Sequence, residues 1–300
     1  ASDVYKRQAK YNVPKQKTPG DPYYTTIYAA NLWAAGKVLD SAYASSETYG
    51  SLVAQNNGYD YFISRSGPIM DSIHYKRGKY DYKWDRLWKV NASDIIYHQN
   101  NWMNTGYVPI EVIQNWPAHG VVGTGQAWSL APFFDRSSDG FYDPMDGDYP
   151  LIKGSQAVYH IYNDERVIPG SGGQMSLEVH CMAYAYNCPQ DSALNNTTFL
   201  DYTIYNRSTN TYDSSYVGLW VDFDLGGSTD DAAGCDVDRS TYYTLNVDSF
   251  DEGGNGVFGY ENHPPAQGVT ILEGVFQDPD AMDNSFGIAP YESVNGTGFG

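Results

Sequence analysis

Apolar and polar positions alternate through much of the chain. In Tyr216 to Asp224, Val217, Leu219, Val221 and Phe223 fall on one side of an extended segment, while Trp220, Asp222 and Asp224 fall on the other. The same two-residue period predicts strands over 157–163, 177–187, 198–206, 241–247 and 268–276. Helical periodicity is scarce. Ser93 as a cap predicts a helix over 94–102. Pro109 ahead and Pro117 behind bracket a second at 110–116, with Ile110, Ile113 and Trp116 on one side. The fold class that follows is mainly β, with sandwich-like sheets, long Asp/Gly-rich loops and a few short helices packed on the sheets.

Composition agrees. Aromatics make up 15% of the 300 residues, 28 of them Tyr, which suits strands and turns more than helices. Hydrophobic residues reach 41%, enough for a substantial core, and no run of 18 apolar residues predicts a membrane span. The formal net charge of −18 argues against nucleic acid and anionic lipid as partners and makes cations the natural ones. Residues 1–120 carry 13 Lys/Arg against 10 Asp/Glu, whereas residues 121–300 carry 5 against 26, a break that suggests a division near residue 125 between a near-neutral and an acidic part. Asp supplies 28 of the acids, a bias toward loops and rigid oxygen ligands and away from solvated helix faces. Cys181, Cys188 and Cys235 have no zinc spacing; a Cys188–Cys235 bridge and three separate thiols both fit the sequence. Residues 1–8, Ala-Ser-Asp-Val-Tyr-Lys-Arg-Gln, match the translation of a sequencing-library adapter, so residues 9–300 are expected to be a fragment open at both ends.

The stretch Asp135 to Asp146 carries the sharpest chemical signal. Asp135, Ser137, Asp139, Asp143 and Asp146 occupy positions one, three, five, nine and twelve of a calcium loop, with Gly140 at six and the backbone carbonyl of Phe141 at seven. Asp148, just beyond, joins the candidate ligands. Ser137 is neutral where an acid is usual and Asp146 is shorter than glutamate, so the site should be weaker than a cytosolic sensor loop. Pro144 and the turn Gly147-Asp148-Tyr149-Pro150 place the loop between irregular or strand segments instead of paired helices. The same Asp, Gly and Ser residues also favour turns for purely local reasons, and a solvated turn without an ion is the alternative.

A second acidic group comprises Asp222, Asp224, Asp230, Asp231 and Asp236, with Leu225-Gly226-Gly227 able to turn the chain back on itself. Between residues 213 and 252 ten acids face Arg239 alone, a repulsion that a hard cation such as Ca2+ would relieve. Asp222 and Asp224 lie about 6.6 Å apart along a strand, within the span of a glycosidase carboxylate pair, so a secreted glycoside hydrolase is a rival reading. Trp84, Trp88, Trp102, Trp116, Trp128 and Trp220 could stack sugars or fill a core. Six scattered histidines lack metal-ligand spacing, Gly120 to Gly125 lacks the lysine of a phosphate loop, and no nucleophile elbow occurs, so no catalytic residue is assigned.

A succession of segments carries a resemblance: ANLWAAG (30–36), SGPI (66–69), WDRLWKVN (84–91), WPAHG (116–120), LAPFFDRSSDGFYDPMDGDYPLIKG (130–154), HIYND (160–164), LEVHCMAYAY (177–186), TTFLDYTIYNRS (197–208) and GLWVDFDLGGSTDDAAGCDVDR (218–239). Over about residues 20–290 the chain resembles large secreted proteins of Bacteroidota exported by the type IX secretion system. Ser137 and Ser155 stand where Asn and Asp are usual in that pattern. The resemblance implies an extracellular or outer-surface location and a structural or adhesive role, with surface glycans or other extracellular proteins as partners. Together with the acidic loops, it leads to the expectation of a calcium-stabilised extracellular module that is not an enzyme; a glycoside hydrolase and a non-catalytic glycan-binding module are the alternatives.

Overall fold

The computed structural model describes residues 11–13, 24–47, 65–74, 84–165, 174–254, 258–276 and 293–294; residues 1–8 lie outside them. In chain order the strands are β1 (Tyr11–Asn12), β2 (Thr25–Val38), β3 (Ser41–Ser45), β4 (Arg65–Ser66), β5 (Trp88–Asn91), β6 (Phe133–Phe134), β7 (Tyr149–Pro150), β8 (Gln156–Asn163), β9 (Leu177–Ala185), β10 (Thr198–Asn206), β11 (Asp213–Phe223), β12 (Asp231–Asp236), β13 (Thr241–Asn246), β14 (Ala266–Thr270), β15 (Val275–Phe276) and β16 (Ser293–Val294). Among the described residues three short α-helices interrupt them: α1 (Ala92–Asn101), α2 (Glu111–Gln114) and α3 (Ser192–Asn195). The fold is therefore mainly β, as the alternation predicts.

Two compact units form, one holding Ala35–Ser215 and the other Arg7–Ala34 with Tyr216–Gly300. The division thus differs from the charge break: residue 125 lies inside the first unit, because sheet pairing and not charge defines the unit.

The first unit is built on a five-stranded sheet in which β9 lies between β8 and β10, both antiparallel to it. Short β4 and β5 share the other edge of β8, end to end. Tyr159 sits opposite Met182, and Ile161 opposite His180, so these side chains share a face. On that face Ala157, Tyr159, Ile161 and Met182 meet Trp84, Trp88 and Val90 of the β5 region, Ile95 of α1, and Trp116, Ala118, Leu130 and Ala131 of the following segment. Helix α1 turns only Ile95 and His98 fully inward, and packs against β5 and β7. Its start differs from expectation: Asn91, not Ser93, precedes the first turn, and its amide donates to the Asp94 carboxylate at 2.7 Å instead of capping the backbone. Helix α2 is shorter than predicted and leaves Ile110 exposed while burying Ile113 and Trp116.

In the second unit β2 lies between β1 and β11, and β12, β13 and β14 form a three-stranded antiparallel sheet. Neither face of β11 is deeply buried; Trp220 on its polar side stacks on Trp33 of β2, ring centroids 6.0 Å apart. The segment expected as one strand over 268–276 is broken, because β14 ends at Thr270 before the turn through exposed Leu272. All three cysteines are free thiols, Cys181 buried and Cys235 exposed.

Candidate metal centre

The first acidic loop springs from a two-residue ribbon in which Phe133 pairs with Pro150 and Phe134 with Tyr149, so its ends are held together. Asp135 closes the first half. One of its oxygens accepts from the backbone N–H of Ser138 (2.6 Å) and Asp139 (3.3 Å) and from the Ser137 hydroxyl (3.3 Å), and the other from Gly140 N–H (2.7 Å). The Gly140 N–H most of all, then those of Ser138 and Asp139, hold this carboxyl below the usual carboxylate range against the opposing effect of desolvation. Gly140 has φ +80°, the left-handed conformation at which glycine carries no Cβ penalty. Asp139 accepts from Phe141 N–H at 2.8 Å, and Asp143 accepts from Met145 N–H at 2.8 Å to start the tight turn Pro144–Asp146. Pro144 occupies the first turn, where its missing N–H costs nothing.

Asp148 is buried, and both its oxygens are engaged: one by Arg136 N–H at 2.8 Å, the other by Asp143 N–H at 2.9 Å. It acts as a clamp across the loop. Beneath it lies His98, whose ring is held below its ordinary pKa by burial, with the Asp148 backbone and carboxylate pulling it back up. The loop is also tied to α2 and to the hairpin that His119 and Ser129 bridge: the Tyr142 hydroxyl donates to the Ile113 carbonyl at 2.6 Å and Tyr142 N–H donates to His119 Nε2 at 3.1 Å. Asp135, Ser137 and Asp139 are thus brought together by hydrogen bonds, while Asp143 and Asp146 belong to the turn that follows.

In the second unit the acidic residues regroup. Asp231 accepts from Leu225 N–H at 2.9 Å, and its carboxyl is pushed up to about 6, first by burial and then by the charges of Asp230, Asp251 and Asp224, against the Leu225 hydrogen bond. Asp230 Oδ2 and Asp231 Oδ1 are buried without a hydrogen-bond partner among the described residues. Asp251, which sequence reasoning missed, is fully buried and accepts from Gly227 N–H (2.8 Å), Gly253 N–H (3.1 Å) and Tyr260 N–H (2.7 Å). Gly226 makes this approach possible: at φ +56°, a Cβ there would sit 2.1 Å from Asp251 Oδ2. Asp222 lies two residues before Asp224 at the end of β11. Asp236 stands apart, about 16 Å along β12 from Asp231 at the usual strand rise. Its carboxylate pairs with the Arg239 guanidinium, which holds it below the usual range, and accepts from Arg239 N–H at 3.2 Å.

Among the described residues no three His, Cys, Asp or Glu side chains converge closely enough to hold an ion as they stand. The oxygen-only donor set around Leu225 to Gly227 nevertheless suits a hard cation in its chemistry, and two of its oxygens are buried without a hydrogen-bond partner among the described residues.

A third constellation also escaped sequence reasoning. Fully buried Glu178 accepts from Ile69 N–H (2.7 Å), Arg207 (2.6 Å) and His180 Nε2 (3.0 Å), and His180 Nδ1 meets the Tyr159 hydroxyl at 2.8 Å. Burial alone would raise the Glu178 carboxyl, but the bonds from His180, Arg207 and Ile69 bring it below its ordinary value. Tyr159 and His180 are themselves buried, so this is an internal charge network with no nucleophile at the surface. The signal was present in Leu177-Glu178-Val179-His180: two ionisable residues with a two-residue period inside an apolar strand.

Comparison with protein-family models, with curated proteins and with solved structures returns no match to this chain.

Proposed function

We propose that this chain is a calcium-stabilised structural or adhesive module of a secreted or cell-surface protein, with Ca2+ acting on folding and not on chemistry. The observation that carries the reading is the pair of orphaned, buried oxygens on Asp230 and Asp231, set among Asp224 and Asp251. A buried anion without a counter-charge is costly, and a bound divalent ion would supply that charge. Asp224, Asp230 and Asp231 would hold it, with Asp222 adjacent and Asp251 bracing the turn. The loop Asp135 to Asp146 is the second candidate, supported by its register and by the hydrogen bonds that fold its first half around Asp135. An extracellular or outer-surface location fits this chemistry, because modules working there bind calcium at dissociation constants of about 0.1–1 mM. The resemblance to secreted Bacteroidota proteins points to the same place.

Calorimetric titration of the chelator-stripped protein with CaCl2 tests it. Saturable heat that is diminished in Asp231→Asn is the expected result; no heat up to millimolar calcium counts against the reading.

A second reading has one observation in its favour. A carboxyl raised to about 6 beside other carboxylates is also what a glycoside hydrolase uses as its general acid. Hydrolysis of a polysaccharide panel by the wild type but not by Asp231→Asn would establish it.

A further inference from the structure

Of the six tryptophans that could stack sugars, the structure buries Trp84, Trp88 and Trp116, covers Trp102 with the Arg136 guanidinium, and stacks Trp220 on Trp33. Trp128 remains 42% exposed. Its indole stacks on the His119 imidazole at 4.0 Å and 16°. Phe141, 60% exposed, stands edge-on to it at 5.4 Å and 76°.

This arrangement is rigidly held. Since Tyr142 N–H can only donate, His119 Nε2 is its acceptor, which leaves the proton on Nδ1 facing the Trp128 carbonyl at 3.3 Å. The hairpin closes through Gly120, whose N–H donates to the Trp128 carbonyl at 3.0 Å. Any Cβ at Gly120 would lie 2.2 Å from the Ala127 carbonyl oxygen. A ring fixed before binding loses little entropy on contact.

We propose that the Trp128–Phe141 corner is a stacking site for a neutral pyranose of an oligosaccharide, with the indole as floor and the phenyl ring as wall. Size argues for a sugar over a protein: the exposed aromatic surface is on the order of 200 Å², about a quarter of the ~800 Å² each partner contributes to a stable protein interface. Charge selects the class. Exposed Asp139, Asp143 and Asp146 lie on the same loop as Phe141 and, with Asp135 and Asp148, leave it anionic even with one divalent ion bound, so uronates and sulfated sugars are repelled and a neutral sugar is not. Phe141 occupies position seven of the candidate calcium loop and its N–H is held by Asp139, so binding should also respond to calcium; this last point alone rests on the calcium reading.

The test is calorimetry with cello-, laminari-, manno-, xylo- and chito-hexaose, with oligogalacturonate as the anionic control, in CaCl2 and in EGTA. At least one neutral hexaose should bind, and Trp128→Ala and the more exposed Phe141→Ala should each weaken it at least tenfold at unchanged melting midpoint. Oligogalacturonate should not bind. Should Trp128→Ala fail to fold, Phe141→Ala alone decides. Binding that is lost in the variants but indifferent to EGTA supports the platform while counting against calcium in the Asp135 to Asp146 loop. No binding to any neutral hexaose, binding that survives both variants, or self-association abolished by Trp128→Ala in sedimentation overturns the proposal.

Discussion

Asp148 accepts the backbone N–H of Arg136 with one carboxylate oxygen and that of Asp143 with the other, so a single buried side chain spans the acidic loop from its second residue to its ninth. An amide at this position can accept only one of the two and turns an N–H₂ toward the other donor. Asp148→Asn should therefore lower unfolding stability by roughly 2–3 kcal/mol, as expected for losing a charge-assisted bond and orphaning a buried N–H. Urea denaturation measures it; a change under 0.5 kcal/mol would show that the clamp contributes nothing.

Glu178 predicts a larger effect. Three donors converge on it in the core, His180 and Arg207 on one oxygen and Ile69 N–H on the other, and Glu178→Gln removes the charge opposite the Arg207 guanidinium while its N–H₂ must face either that pair or the Ile69 N–H. Breaking a buried charge pair from one side typically costs 3–5 kcal/mol. Soluble protein with a collapsed thermal transition is the expected outcome, and a wild-type midpoint would refute the network's structural role.

Asp164 gives a pH dependence with a definite sign. It is buried and accepts from Met175 N–H at 3.0 Å and Leu177 N–H at 2.7 Å, yet burial outweighs these bonds and pushes its carboxyl up to about 6. A carboxyl raised on folding binds its proton more tightly in the folded state. Its stabilising contribution is thus fully present below the ordinary value of 3.8 and is lost as pH rises through about 6. The wild type should gain on the order of 1 kcal/mol more than Asp164→Asn between pH 7 and pH 5. Parallel stability-versus-pH curves for the two proteins would contradict this.

Gly226 ties backbone to the second acidic group. At φ +56° and with Asp251 against its Cα, alanine there adds both strain and a clash with Asp251 Oδ2. Gly226→Ala should cost more than 1 kcal/mol and weaken any calcium response together with it. Hydrogen exchange would show the Gly227 and Tyr260 amides, both bonded to Asp251, losing protection first.

Period-two segments were legible where the strand lies within a sheet. β8, β9, β10 and β13 fall within two residues of the positions that alternation predicts, and in β8 the buried residues Ala157, Tyr159, Ile161 and Asn163 themselves alternate, as packing against one covered face requires. The 268–276 segment failed because its apolar residues straddle a turn that leaves Leu272 in water. The first acidic loop was readable since Asp and Gly act on backbone a few residues away, which is local chemistry. Asp148 as clamp and Asp251 as brace were not, because the clamp depends on Asp148 being buried beside His98 and Asp251 reaches Gly227 across 24 positions. Asp236 shows the converse: grouped with Asp231 by proximity in sequence, it is carried away by an intervening strand and serves Arg239 instead.

The most direct test of calcium stabilisation is thermal melting of the wild type and Asp231→Asn, each in CaCl2 and in EGTA. Calcium at a hundredfold excess over its dissociation constant should stabilise the wild type by about 2.7 kcal/mol, raising its midpoint, and should move Asp231→Asn much less. Identical wild-type midpoints in calcium and chelator would contradict the account.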